Sequence, residues 1–356
     1  MIYMPRFSNS LFQSLLLLCI FFVFTGSVYA DDDYSDTTIL KDEHGDLLNA
    51  HGGNVVYING AYFLVGEYRT PDSIFTQKFS LYKSKDLKSW ENLGVVYDLS
   101  HKSLPYNVER PKLIYNSKIK KYIIWYHEEF GKNFSNAKVA VAVSDKVSGP
   151  YVFFKSYRPN PKAKPIYDDS FKYSDEKRVI ADAQFRKDFS GGQMSRDMNI
   201  FQDDDGKAYI VSSSENNKTI QISELSDDYL SFTGVFSRVL VGRISEAPVI
   251  FKRKGIYYLL TSGVTGYHPT LLHLALSHNI MKGWKDSGYP IKTNDKKQFL
   301  TSFGTQVSSV LKVHDSDDYV FISDRWDTWK LFNSKYVWLS IHWNNSVPYI
   351  EWNLYK

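Results

Sequence analysis

Residues 248–260 read Pro248-Val-Ile-Phe-Lys-Arg-Lys-Gly-Ile-Tyr-Tyr-Leu-Leu260. Two short runs rich in β-branched and aromatic residues flank a Lys254-Gly255 turn, the pattern of two antiparallel strands joined by a hairpin. A third run, Leu274-Ala-Leu-Ser277, follows, and Trp284 closes the unit. The same unit recurs on both sides. It appears as Asn54 to Val65 around Asn59-Gly60, then Leu81 to Leu87, then Trp90. It returns as Lys112-Leu-Ile-Tyr115 with Tyr122-Ile-Ile-Trp-Tyr126 and Val139 to Asp145. A further copy runs Met198-Asn-Ile-Phe201, Asp205-Gly206, Ala208-Tyr-Ile-Val211 and Ile220-Gln-Ile-Ser223. The last runs Gln306 to Leu311, Tyr319-Val-Phe-Ile322 and Tyr336 to Ile341. A period of ~40–60 residues with three or four strands per unit marks a β-propeller. Five units fill the chain after residue 30, so the expected fold is all-β, a five-bladed β-propeller over residues 31–356. A two-sheet sandwich is the structural alternative. No stretch beyond residues 1–30 shows sustained helical periodicity. The one long interval between units holds residues 159–195, a polar stretch with Pro159, Pro161, Pro165 and Gly191-Gly192. It is expected to be a loop insertion over one face.

Composition agrees with a packed β-protein. The 356 residues are 43% hydrophobic and 16% aromatic, enough for a core, which excludes general disorder. The net charge of +4 leaves no footprint for nucleic acid or an anionic membrane. Arg6, the apolar run 11–24 and Val28-Tyr29-Ala30 resemble a secretory signal peptide spanning residues 1–30. The rival reading, a membrane anchor, asks for ~20 apolar residues, more than this run supplies. Export to the periplasm or beyond is therefore expected. Cys19 is the one cysteine and lies inside the segment to be removed, which excludes disulfides, thiolate chemistry and cysteine-based metal sites from the mature chain.

In a propeller the first strand of each blade lines the central channel, so distant unit openings converge on one end of it. These openings read Asn49-Ala-His51-Gly-Gly, Val108-Glu109-Arg110-Pro, Ser195-Arg196-Asp197-Met, Ser245-Glu246-Ala-Pro and Phe303-Gly-Thr-Gln306. Three carboxylates, two arginines, an imidazole and an amide would share one space. A single carboxylate at a strand mouth has an ordinary explanation in solvent or a nearby lysine; three in register do not. Paired carboxyl groups in an open cleft are the tools of glycoside cleavage. One of them must keep its proton near neutral pH, which neighbouring negative charge and burial achieve. Glu246 is the candidate acid, with Pro248 fixing the backbone where the strand begins. Asp197 is placed to keep it protonated.

These motifs, together with the five-fold pattern, resemble glycoside hydrolase family 43 and, within it, the exo-β-1,3-galactanases. The Ser195–Met198 and Glu246–Pro248 motifs match the family's pKa-modulating Asp and general acid. Glu109–Lys112, Val65-Gly-Glu67 and Phe303–Gln306 match the galactanase branch. The resemblance implies hydrolysis with inversion. Most of the family carries an Asp base at the start of the first blade, where this chain has His51-Gly-Gly. The galactanase branch shares that lack, and the resemblance implies that Gln306 orients or activates the water. An amide is no base in its ordinary tautomer, so Glu109 stands beside it as water-positioner or base. Glu67, Tyr126, Thr265 and Glu215 are implied substrate contacts. Tyr267 stands where the family has a Trp platform, which leaves the sugar and linkage open. His51, Arg196 and Arg325, the last within Asp324-Arg-Trp326, complete the substrate-side candidates.

Three functional readings follow. The first is an exo-acting hydrolase of β-1,3-linked galactan. The second is a hydrolase of the same family acting on an arabinofuranoside, galactofuranoside or xyloside. The third is a sugar-binding propeller without turnover. The expected partner is an oligo- or polysaccharide, handled by a monomer with no appended carbohydrate-binding module. No cofactor is expected, since no Gly-rich phosphate loop runs from a strand into a helix. No metal is expected, since the nine histidines show no paired ligand spacing.

Overall fold

Strand pairing sorts the chain into five small sheets, four of four strands and one of five. A computed structural model describes residues 37–102, 105–131, 134–169 and 175–354. The signal peptide expected over residues 1–30 lies outside the described residues. Blade I holds β1 (His51–Ile58), β2 (Ala61–Glu67), β3 (Lys78–Ser84) and β4 (Glu91–Asp98). Blade II holds β5 (Tyr106–Asn116), β6 (Lys121–Phe130), β7 (Lys138–Ser144) and β8 (Val152–Tyr157). Blade III takes in β9 (Tyr167–Asp168), β10 (Met198–Gln202), β11 (Ala208–Ser214), β12 (Thr219–Leu225) and β13 (Phe232–Val239). Blade IV holds β14 (Glu246–Arg253), β15 (Ile256–Ser262), β16 (His273–Ser277) and β17 (Lys285–Asp286). Blade V holds β18 (Gln306–Lys312), β19 (Tyr319–Arg325), β20 (Lys335–Asn344) and β21 (Val347–Leu354).

The innermost strands β1, β5, β10, β14 and β18 touch in chain order, and β18 packs back on β1. That closes the ring of a five-bladed β-propeller. Its apolar core is divided into five clusters, one in each seam between adjacent blades. Strand alternation sends each sheet's apolar residues to both faces, so every blade can bury both sides against neighbours. Between blades V and I, Trp338 and Trp90 meet edge to face at 6.0 Å, both buried. The segment before β1 fastens the same seam. The backbone N–H of Thr38 donates to the Tyr336 carbonyl, and the Tyr336 hydroxyl links the Ala50 N–H and the Leu48 carbonyl.

Four of the five innermost strands carry a β-bulge at or one residue beyond the residue expected to face the channel. The register shifts lie between His51 and Asn54, Glu109 and Lys112, Glu246 and Val249, and Val307 and Ser309. A bulge bends the strand and re-aims a side chain, a common device beside active sites. Arg110 (φ 55°) and Ala247 (φ 49°) adopt the left-handed region although neither is glycine. That strain sits immediately after Glu109 and Glu246, where it turns the two carboxyls into the channel. In blade I the same turn uses Gly52 (φ 63°), and a Cβ on Gly53 would fall 1.6 Å from the Val65 carbonyl oxygen.

The long interval 159–195 is more ordered than a loop. It contributes β9, parallel to β13, and the helix α1 (Asp175–Asp188). Asp175 and Glu176 open the helix and Arg186 and Lys187 close it, in the sense that suits its dipole. Its apolar residues do not keep to one stripe, and Val179 and Ile180 remain exposed, which is why no helical period is legible there. Ion pairs hold it in place instead: Arg178 bonds the Asp169 carbonyl and Asp168, and Asp182 accepts from Arg238 at 2.8 Å.

Candidate functional site

The inner-strand openings of blades II to V, with Glu67 and Arg69 at the end of β2 in blade I, meet around a hollow of about 250 Å³ at one end of the channel. Glu67, Glu109, Asp197, Glu246, Arg196, Tyr267 and Gln306 all line it, each on the strand mouth or loop that the unit pattern assigns. Arg69, Arg110, His127 and Trp326 join them. The volume is below the ~300–1,000 Å³ of pockets for drug-sized ligands and suits a single monosaccharide.

Arg110 ties four blades together. Its backbone N–H donates to Glu67 Oε1 at 2.9 Å, and its guanidinium reaches Asp197 at 2.9 Å, Gln306 Oε1 at 2.6 Å and the Val307 carbonyl at 3.1 Å. Gln306 Oε1 accepts a second bond from Trp326 Nε1 at 2.9 Å. Both partners are donors only, which fixes the amide orientation. The Gln306 Nε2 therefore donates to Glu246 Oε1 at 2.9 Å. Burial lifts the Glu246 carboxyl, and the neighbouring Asp197 charge lifts it further. Arg110 and the Thr265 backbone N–H pull the other way, and the outcome is a pKa pushed up to about 8. Glu246 thus keeps its proton at neutral pH.

Glu109 is the opposite case. Burial works to raise its pKa, but His127, Arg69 and the Tyr267 hydroxyl outweigh burial and hold it at about 2. Its Oε1 accepts from Asn107 at 3.1 Å and from Tyr267 at 3.0 Å. Its Oε2 stands 3.6 Å from His127 Nδ1, too long for a hydrogen bond and close enough for charge attraction. On its far side His127 meets Glu129 at 2.9 Å. Burial opposes charge on this imidazole, yet the two flanking carboxylates raise its pKa to about 9. One hollow therefore holds a protonated carboxyl and an anionic one, the separation of roles that acid–base chemistry needs.

Glu109, His127 and Asp197 each offer a ligand atom, all within 4.8 Å of one another. The chemistry fits a metal ion poorly: Arg110 already neutralises Asp197, and a protonated imidazole has no lone pair to give. Below the hollow the channel is filled. Buried Lys112 donates to the carbonyls of Gly52, Gly53 and Ser308 at 2.6, 2.7 and 3.0 Å.

Five of the expected contacts lie elsewhere. Tyr126 is fully buried in the seam between blades I and II, its hydroxyl 2.7 Å from that of Tyr97. Its neighbour His127 takes the channel face, paired across the ladder with Glu109. Glu215 is fully buried against Arg238 at 2.8 Å and bonds Thr219 at 2.6 Å. His51 stacks on Tyr336 at 4.7 Å and meets Asp324 at 2.9 Å, beneath the hollow. Arg325 braces the Phe303 carbonyl at 3.1 Å. The Thr265 hydroxyl bonds the His268 carbonyl at 2.7 Å, so only its backbone N–H serves the site, on Glu246. Tyr267 lines the hollow, with its hydroxyl committed to Glu109. Arg69 and His127 were missed: Arg69 stands two residues after Glu67, just past the end of β2, and His127 meets Glu109 through ladder pairing that the sequence pattern does not show.

The comparisons agree with this geometry. The model of Glycosyl hydrolases family 43 matches residues 172–345. A solved β-1,3-galactosidase of family GH43, bound to galactodeoxynojirimycin, is 36% identical with a TM-score of 0.83, over 89% of this chain and 98% of that one. An exo-β-1,3-galactanase from Clostridium thermocellum is 32% identical with a TM-score of 0.74, over 88% of this chain and 63% of that one. One from Phanerochaete chrysosporium, solved with β-1,3-galactotriose, is 25% identical with a TM-score of 0.73, over 88% and 65%. The chain thus spans just under two thirds of those two galactanases. No curated protein matches. The chain belongs to glycoside hydrolase family 43. It is a glycoside hydrolase that resembles exo-β-1,3-galactanases, and its substrate is a carbohydrate.

Proposed function

We propose that this protein is an exported, exo-acting hydrolase that removes galactose from the end of β-1,3-linked galactan with inversion at the anomeric carbon. The observation that carries the reading is Glu246, a carboxyl held protonated to about pH 8 on the wall of a single-sugar hollow. Glu246 gives its proton to the departing glycosidic oxygen. Asp197 keeps that proton in place through its own charge. Glu109 Oε2, anionic and with no hydrogen-bond donor closer than His127 among the described residues, holds the attacking water. With a pKa of about 2 it is a weak base, so positioning is its larger contribution. Gln306 serves the acid rather than the water, because its amide oxygen is already taken by Arg110 and Trp326.

The choice of sugar is supported by relatives described as β-1,3-galactosidase and exo-β-1,3-galactanase. Export is supported by the apolar run and small-residue site in residues 1–30, and a monomer suffices because every wall of the hollow comes from one chain. No helix among the described residues is long and apolar enough to cross a membrane. The test is product analysis on β-1,3-galactan. The wild-type protein is expected to release galactose first seen as the α-anomer by proton NMR, and Glu246→Gln to release none. Unchanged release by Glu246→Gln would remove Glu246 from the mechanism.

A further inference from the structure

A second hollow of about 410 Å³ adjoins the first and shares Phe134 and Tyr267 with it. Its wall is largely apolar, including Ile74, Phe75, Trp329 and Phe332, with Asp72 and Lys330 among its polar members. Trp329 is 94% exposed, whereas the other described tryptophans are buried or half-buried. Folding gives no reason to hold an indole in water. The loop nonetheless fixes the backbone that carries it. Asp327 Oδ1 accepts the backbone N–H groups of Trp329 and Lys330 at 3.0 and 2.9 Å, and the Ser334 hydroxyl accepts that of Asp327 at 3.1 Å. At the start of the same loop, Trp326 bonds Gln306 in the inner hollow. One loop therefore places one tryptophan in each compartment.

We propose that the outer hollow is a second saccharide compartment, in which Trp329 stacks against the sugar units beyond the one held in the inner hollow. This rests on the reading of the inner hollow as the seat of the terminal sugar. Continuity selects the occupant: an inner space sized for one unit forces the rest of a polysaccharide through the adjoining space. The C–H face of a pyranose suits an exposed indole, and the neighbouring Asp72 and Lys330 can meet its hydroxyls.

The experiment compares kcat/KM on β-1,3-galactotriose with kcat/KM on β-galactosyl fluoride, which has no sugar to place in the outer hollow. Trp329→Ala is expected to lower the first by about five- to tenfold, the size of one aromatic stacking contact, and to change the second by less than about twofold. Trp329→Phe should recover most of the loss. The change should fall in KM rather than kcat. Equal effects on both substrates, or none on either, would overturn the proposal in favour of a docking surface for protein or of a bare surface residue. Turnover of neither substrate by the wild-type protein would instead refute the functional reading, and this inference with it.

Discussion

Replacing Asp197 with Asn isolates the electrostatics on which the acid depends. Asp197 raises the Glu246 pKa directly, and it also occupies Arg110 at 2.9 Å. Asp197→Asn removes the negative neighbour and leaves the Arg110 charge less compensated, so both changes favour ionised Glu246. A close charge typically moves a carboxyl by 1–3 units, so a fall of ~1.5 units, or ~2 kcal/mol, is the expected size. Starting from about 8, the protonated fraction at pH 7 drops from ~0.9 to ~0.25, and at pH 9 it drops by ~30-fold. The assay is the pH profile of kcat/KM on β-1,3-galactobiose, whose alkoxide leaving group needs a proton; this quantity reports the free enzyme. The basic limb should move from about 8 to ~6.5, and the variant should recover activity on going to pH 5. A basic limb that stays in place, with activity reduced equally at every pH, would refute the argument.

Two further outcomes follow from buried charge. Glu246 has a folded-state pKa above its unfolded value, so its contribution to stability is complete below about pH 4.5 and is lost as pH rises through about 8. Glu246→Gln should therefore melt at a higher temperature than wild type at pH 9 and at nearly the same temperature at pH 4, checked by calorimetry. Arg238→Met leaves the Glu215 carboxylate buried without its partner, and chemical denaturation should show a loss of ~3–5 kcal/mol.

Much of the ring is legible in the sequence because its signals are local. Alternating runs around Asn59-Gly60, Asp205-Gly206 and Lys254-Gly255 define hairpins, and the inner strands start where the units open. Glu109, Asp197, Glu246 and Gln306 meet because topology alone brings those openings to one end of the channel. What stays hidden depends on geometry that spacing does not encode. The bulge between Glu109 and Lys112 resets the side-chain parity of the ladder, so His127 rather than Tyr126 faces Glu109. Glu215 reads as an open turn residue, yet left-handed backbone at Glu215, Asn216 and Asn217 accompanies a carboxylate buried against Arg238, far along the chain. The helix α1 has no apolar stripe to betray it. Its effect reaches the site through contacts: Gln184 accepts from Asn216 at 3.0 Å, and Asn216 accepts from the pocket residue Arg196 at 3.0 Å.

The guanidinium of Arg110 has a wider meaning for how such an enzyme can come into being. It reaches groups from blades III and V while its own backbone N–H serves blade I. No single blade owns a complete catalytic wall, so a half-finished ring still emerging from the ribosome has nothing to catalyse with. Hydrolytic competence arrives in a single step, when the last blade docks beside the first.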